Sequence, residues 1–230
     1  MRDFAIELLN SSARSEAADP GFRTRNRRPQ PWAALLELCY ARVGLPLPCL
    51  EKVGEEQIPQ PYRKLLVHSM DLTPTLESFY HRTLGIFVLH RWRDGDTYRR
   101  EVILRLAGDW QRVGYGAIRI ELRHLPPASA ARVLAEQVPF GSILQADGIP
   151  HLSWPQDFFR AEPDPHLRSM LGLRRNAGVY GRRNVLLDGS RRLLAEVVEL
   201  LAPVAGHVTK RSRGRALSPV RNTADRHPEE

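Results

Sequence analysis

The chain has 230 residues and carries 34 Lys+Arg against 26 Asp+Glu, a formal net charge of +8. That length allows one domain with tails or two small domains, and 42% hydrophobic residues exclude a fully disordered chain. No stretch approaches ~18 uninterrupted apolar residues, so no membrane span is expected. The start, MRDFAIELLNSSARSEAADPG, carries acidic groups and no long apolar run, unlike a secretory signal. All the basic residues except Lys52, Lys64 and Lys210 are arginine, and the pI near 10.1 invites a nucleic-acid reading.

The placement of the charge argues against that reading. Residues 1–31 have six basic and four acidic groups, and residues 206–230 have six and three. Both ends are rich in Arg, Ser, Pro and Gly and lack an apolar period, apart from a possible short helix near Phe4–Leu9. They are expected to be disordered tails. The middle, 32–205, holds 22 basic and 19 acidic residues, an ordinary balance for one globular domain. Cys39 and Cys49 are spaced for neither a redox C-x-x-C pair nor a zinc pair, so a reduced, cytoplasmic chain is expected.

Trp32–Val43 has helical period after Pro31, with Gly44 as its stop. The L-T-P-T-L-E run at 72–77 predicts a second helix, with Thr73 as N-cap and Pro74 at the first helical position, ending by Gly85. Ile86–Trp92, a turn at 93–96 and Thr97–Leu106 read as a hairpin. Trp110–Leu122 is a third strand, where Gly114 and Gly116 suggest a bulge. Pro127–Gln137 is a helix, and 139–177, interrupted by Pro150, Pro155, Pro163 and Pro165, reads as loop-rich with short helices. Val179–Leu187 and Arg191–Leu201 close the chain as a last hairpin. At least five antiparallel strands and three or four helices make the class α+β.

Two charges interrupt apolar rows. Arg100 shares its strand face with Tyr98, Val102, Leu104 and Leu106, and Glu196 shares its face with Leu194, Val198 and Leu200. An uncompensated charge there is costly. Either the two form a buried ion pair, or a bulge turns one to solvent, or they build a polar site in an apolar pocket. A second carboxylate, Glu199, follows on the same strand.

Four short motifs frame these residues: D-L-T-P-T-L-E at 71–77, Y-R-R-E-V-I-L at 98–104, V-P-F-G-S-I-L at 138–144, and G-V-Y-G-R-R at 178–183 followed by L-L-A-E-V. In this order, across 62–203, they resemble the chorismate pyruvate-lyase family. The resemblance implies an antiparallel sheet with helices on one side and helical flaps over a buried ligand. It implies a cofactor-independent lyase turning chorismate into 4-hydroxybenzoate and pyruvate, as in ubiquinone biosynthesis; a monomer or weak dimer is expected. Arg100 would grip the ring carboxylate, Glu196 would assist proton transfer at the hydroxyl end, and Leu72, Phe140 and Gly141 would line the pocket. Arg182 is a candidate for a second carboxylate, against the commoner role of shaping a hairpin. The same fold also serves bacterial regulators as a small-molecule sensing domain of the UTRA type, which is the competing, non-catalytic reading. Such regulators carry a winged helix ahead of the sensor, and the ~60 residues before position 62 are expected to be too few for one.

Other chemistries find little support. No H-x-x-x-H or H-E-x-x-H occurs among the eight histidines, so no metal is expected. Ser69 and Ser142 lack the G-x-S-x-G elbow of a hydrolase. Trp110, Tyr115, Trp154, Phe158 and Phe159 could stack on single-stranded nucleic acid, but core and flap packing is the expected use. The K-R-S-R-G-R run at 210–215 is expected to be a solubilising tail, with no nucleic-acid partner.

Overall fold

Seven strands form one antiparallel sheet in the order β1-β5-β6-β7-β4-β3-β2. The computed structural model describes residues 31–174 and 178–204; the tails expected at 1–31 and 206–230 lie outside the described residues, apart from Pro31. The strands are β1 (Cys49–Lys52), β2 (Leu84–Asp94), β3 (Thr97–Leu106), β4 (Arg112–Glu121), β5 (His151–Glu162), β6 (Val179–Asp188) and β7 (Leu193–Leu201). The helices are α1 (Ala34–Arg42), α2 (Tyr62–Leu66), α3 (Leu72–Tyr80), α4 (Pro127–Ala135), α5 (Phe140–Ala146) and α6 (Pro165–Leu171). The class is α+β, as the alternation of periods predicts.

Each sheet face carries its own helical layer. On one face, α2 and α3 pack over Val102, Leu104, Val113 and Leu201, and α4 and α5 pack over Ile118, Ile120, Leu186 and Val197. On the other, α1 and α6 cover Ile103, Tyr115, Ala117, Phe159, Val198 and Leu200. The central strands are therefore apolar on both sides, as β7 shows along most of its length.

The α1 face also holds a buried polar cluster. The fully buried Glu101 accepts from the Tyr115 hydroxyl at 2.6 Å and pairs with Arg42 of α1 at 2.9 Å. The Tyr40 hydroxyl donates to Asp164 at 3.1 Å, and Asp164 caps α6 by accepting from the Leu167 N–H at 2.7 Å. Burial and the nearby Glu101 push the Cys39 thiol up to about 12, which makes it an inert core residue.

Three local expectations are corrected. The stretch 139–177 contains β5, a twelve-residue strand. Its Pro155 sits at a register shift opposite Asn184, and β1 pairs only with residues 159–162 of this strand. At Pro155 the outer edge carries no ladder, so a missing N–H is tolerated. The short strand β1, paired with the end of β5, has no period-two signal in the sequence. Finally, α3 starts after Asp71 rather than Thr73 and stops at Tyr80, because His81 takes a left-handed conformation (φ 53°) and closes the helix.

Candidate functional site

The pocket lies on the sheet face covered by α3 and α5. Its floor is made by Ile86, Val102, Leu104, Gly116, Ile118, Leu186 and Val197, and its rim by Asp71, Leu72, Thr73, Pro139, Phe140 and Gly141. Arg100, Asn184 and Glu199 are the polar groups of the floor. Strand register places them. Arg100 lies opposite Ile118, Ile118 opposite Val197, and Val197 opposite Asn184, one row across four strands. The next row runs Val102, Gly116, Glu199, Arg182. At ~4.8 Å per strand and ~3.4 Å per residue, the Cα atoms of Arg100 and Glu199 are about 12 Å apart. Gly116 lies between them without a side chain to fill the gap.

Arg100 is 2% exposed. One guanidinium nitrogen, Nη2, makes a long contact of 3.3 Å to the Val138 carbonyl, while Nε and Nη1 are buried with no hydrogen-bond partner. Burial lowers its pKa, and the nearby Tyr98 and Glu136 only partly offset this. Glu136 is not free to neutralise Arg100: it accepts from the Tyr98 hydroxyl and pairs with Arg91 at 2.9 Å. A buried guanidinium with two open donors facing an apolar pocket has the chemistry to receive an anion.

Arg182 is fully buried and each of its three nitrogens is engaged. It binds Glu199 Oε2 at 3.0 Å through Nε, the Leu66 and His68 carbonyls at 3.1 and 3.2 Å through Nη1, and the Met70 carbonyl at 3.1 Å through Nη2. It therefore ties the segment between α2 and α3 to the sheet, and is not a donor for a second ligand carboxylate. Burial pushes the Glu199 carboxyl above its ordinary value, with Arg182 pulling it back.

Leu72, Phe140 and Gly141 line the pocket with Arg100. At Gly141 an added Cβ would sit 3.4 Å from Thr73 Oγ1 and 3.5 Å from Asp71, so the glycine lets α5 approach the start of α3. Glu196 is not in the pocket. It lies opposite Arg119 and Val185 on the far face, paired with Arg183 at 2.7 Å and Arg119 at 3.5 Å. The carboxylate that does reach the pocket is Glu199. The apolar row around Glu196 points to the core but not to which side of it. The signal that finds Glu199 is its own row of Ala195, Val197 and Leu201, equally apolar and in register with Ile118 and Gly116.

The five aromatics weighed as a stacking platform do not lie together. Tyr115 and Phe159 are buried in the α1 layer, Phe158 packs with the core beneath α2 and α3, and Trp110 and Trp154 are exposed on separate elements. Among the described residues, no group of three or more His, Cys, Asp or Glu is placed to hold a metal ion, and no helix is long and apolar enough to cross a membrane. The 210–215 basic run lies outside the described residues.

No family model matches the chain, and no curated protein matches it by sequence. Among solved structures it is similar to the effector domain of PhnF from Mycobacterium smegmatis, at 13% identity and a TM-score of 0.45, covering 60% of this chain and 91% of that one. PhnF itself from the same organism matches at 12% identity and a TM-score of 0.44, over 73% of this chain and 93% of that one. A GntR-family transcriptional regulator from Bacillus cereus matches at 12% identity and a TM-score of 0.40, over 55% of this chain and 96% of that one. The expectation of a chorismate pyruvate-lyase serving ubiquinone biosynthesis is corrected by the site itself: the expected catalytic pair of Arg100 and Glu196 is split between opposite faces of the sheet.

Proposed function

We propose that this chain is a non-catalytic binding domain for a small organic acid, of the kind used to sense a metabolite. The observation that carries the reading is Arg100: a buried guanidinium whose Nε and Nη1 have no partner and which lines an apolar pocket. A carboxylate would satisfy both donors in the bidentate geometry that guanidinium favours. The apolar floor calls for a hydrophobic ligand body. The separation of about 12 Å between the Cα atoms of Arg100 and Glu199, shortened by both side chains, leaves room for about one ring.

The test is calorimetric titration of the full chain with benzoate and 4-hydroxybenzoate, beside thermal melts with each acid. Binding of either acid, with a ligand-dependent rise in Tm, is the expected result. Loss of the pair at Arg100 in Arg100→Met should weaken binding about 30-fold or more, given roughly 2–5 kcal/mol for breaking a buried charged contact. Absence of binding by both acids overturns the reading, and so does release of pyruvate from chorismate.

A further inference from the structure

Two histidines stand beside the pocket rim, and their hydrogen bonds demand different protonation states. His68 Nε2 donates to the Leu65 carbonyl at 2.7 Å, while its Nδ1 accepts from the Met70 N–H at 3.2 Å. One nitrogen bears hydrogen and the other a lone pair, so this ring is neutral. Burial and the Arg182 guanidinium lower its pKa, in the same direction.

His151 has the opposite surroundings. Its Nδ1 faces the Ile149 carbonyl at 2.8 Å, and its Nε2 faces Asp71 Oδ2 at 2.8 Å. Both partners are acceptors, so both nitrogens must donate and the ring is an imidazolium. The pair is mostly buried, with side-chain exposures of 16% and 12%. The Asp71 bond raises the His151 pKa, consistent with the geometry.

Asp71 immediately precedes α3, yet its side chain does not cap that helix. With Oδ2 held by His151, Oδ1 is buried and has no donor. Asp71 lines the same pocket as Arg100. The other ionisable groups that face it are Glu199 of β7, which feels its negative charge, and His68, which also feels Arg182 of β6. A buried carboxylate oxygen without a donor is costly unless a ligand supplies one.

We propose that Asp71 Oδ1 is the pocket's acceptor for an O–H or N–H group of the ligand, and that doubly protonated His151 holds Asp71 in that position. This rests on the organic-acid reading of the pocket. It defines the ligand further, as an acid whose body carries a hydroxyl or amino group away from the carboxylate held by Arg100. It also makes binding sensitive to pH. Once His151 loses a proton, one of its two contacts fails and the Asp71 charge stands unpaired beside Glu199.

Two measurements on the full chain decide this. The first needs no ligand: ¹⁵N spectra of the ring nitrogens at pH 7 should show His151 with two protonated nitrogens and His68 with one protonated and one bare. The second compares benzoate with 4-hydroxybenzoate by calorimetry at pH 6 and pH 8.5. The native chain should prefer the hydroxylated acid about tenfold at pH 6, and less at pH 8.5. Asp71→Ala should bind both acids alike, and His151→Gln should lose the pH dependence while still binding benzoate. A neutral His151 ring at pH 7, or a hydroxyl preference unchanged in Asp71→Ala, overturns the proposal. Failure of both acids to bind the native chain at either pH defeats the organic-acid reading itself, and this proposal with it.

Discussion

At the scale of single residues, Arg100 sets its proposed binding role against stability. Its charge is buried and two of its donors are unsatisfied, a state that raises the free energy of the empty protein. Replacing it with methionine, of similar length and apolar, should raise the stability of the ligand-free chain by about 1–3 kcal/mol in urea unfolding. The same change should weaken acid binding. A destabilised Arg100→Met protein would mean that the guanidinium has a structural partner. Gly181 sits at the opposite extreme. A Cβ there would approach the Glu199 carbonyl to 2.3 Å and the Phe159 ring to 2.6 Å. Gly181→Ala must push β6 away from β7 or displace Phe159, and a loss of about 2 kcal/mol or more is expected from such overpacking, read from the urea midpoint.

At the scale of elements, one arginine and one histidine fasten helical segments to the sheet. Arg182 binds three carbonyls between α2 and α3 together with Glu199. Arg182→Met would strand a buried carboxylate and three carbonyls, and about 3–5 kcal/mol of stability should be lost. The double change Arg182→Met with Glu199→Gln should recover part of it, and a strictly additive cycle would argue against the pairing. The His151–Asp71 contact joins the start of β5 to the start of α3 in the same way. Because the folded pKa of His151 is raised, its stabilisation is fully present below the unfolded value and is lost as pH rises through the folded value. His68, His90 and His166 are lowered, mainly by burial, so what they contribute is present above the unfolded value and lost as pH falls. The stability difference between the native chain and His151→Gln should therefore be largest in mild acid and shrink toward alkaline pH. A difference that grows with pH would contradict an imidazolium at 151.

At the scale of the whole molecule, the sheet has two covered faces, and the pocket of Arg100 lies on one of them. The period-two patterns of Thr97–Leu106 and Arg191–Leu201, and the Asp-Gly turn between β2 and β3, are local properties of the chain, and so the hairpins and the α+β class were legible in it. Arg100 was legible too, as the one charge in an apolar row. The fate of Glu196 was not. On a strand buried on both faces, alternation separates two sets of residues without naming the face that holds the pocket. Only the pairing of Gly116 with Glu199, and of Arg119 with Glu196, makes that choice. The strand β5 was obscured by Pro155, whose missing N–H is harmless only at the unpaired edge beyond β1. Asp71 and His151 are eighty positions apart, and no spacing rule joins them. By itself the sequence determined the period of each element and the cost of placing Arg100 among apolar neighbours, because both depend on residues close in the chain. The tertiary structure alone decided which carboxylate faces Arg100, which arginine is spent on backbone carbonyls and which histidine must carry its proton, because each depends on partners that only folding brings within hydrogen-bond distance.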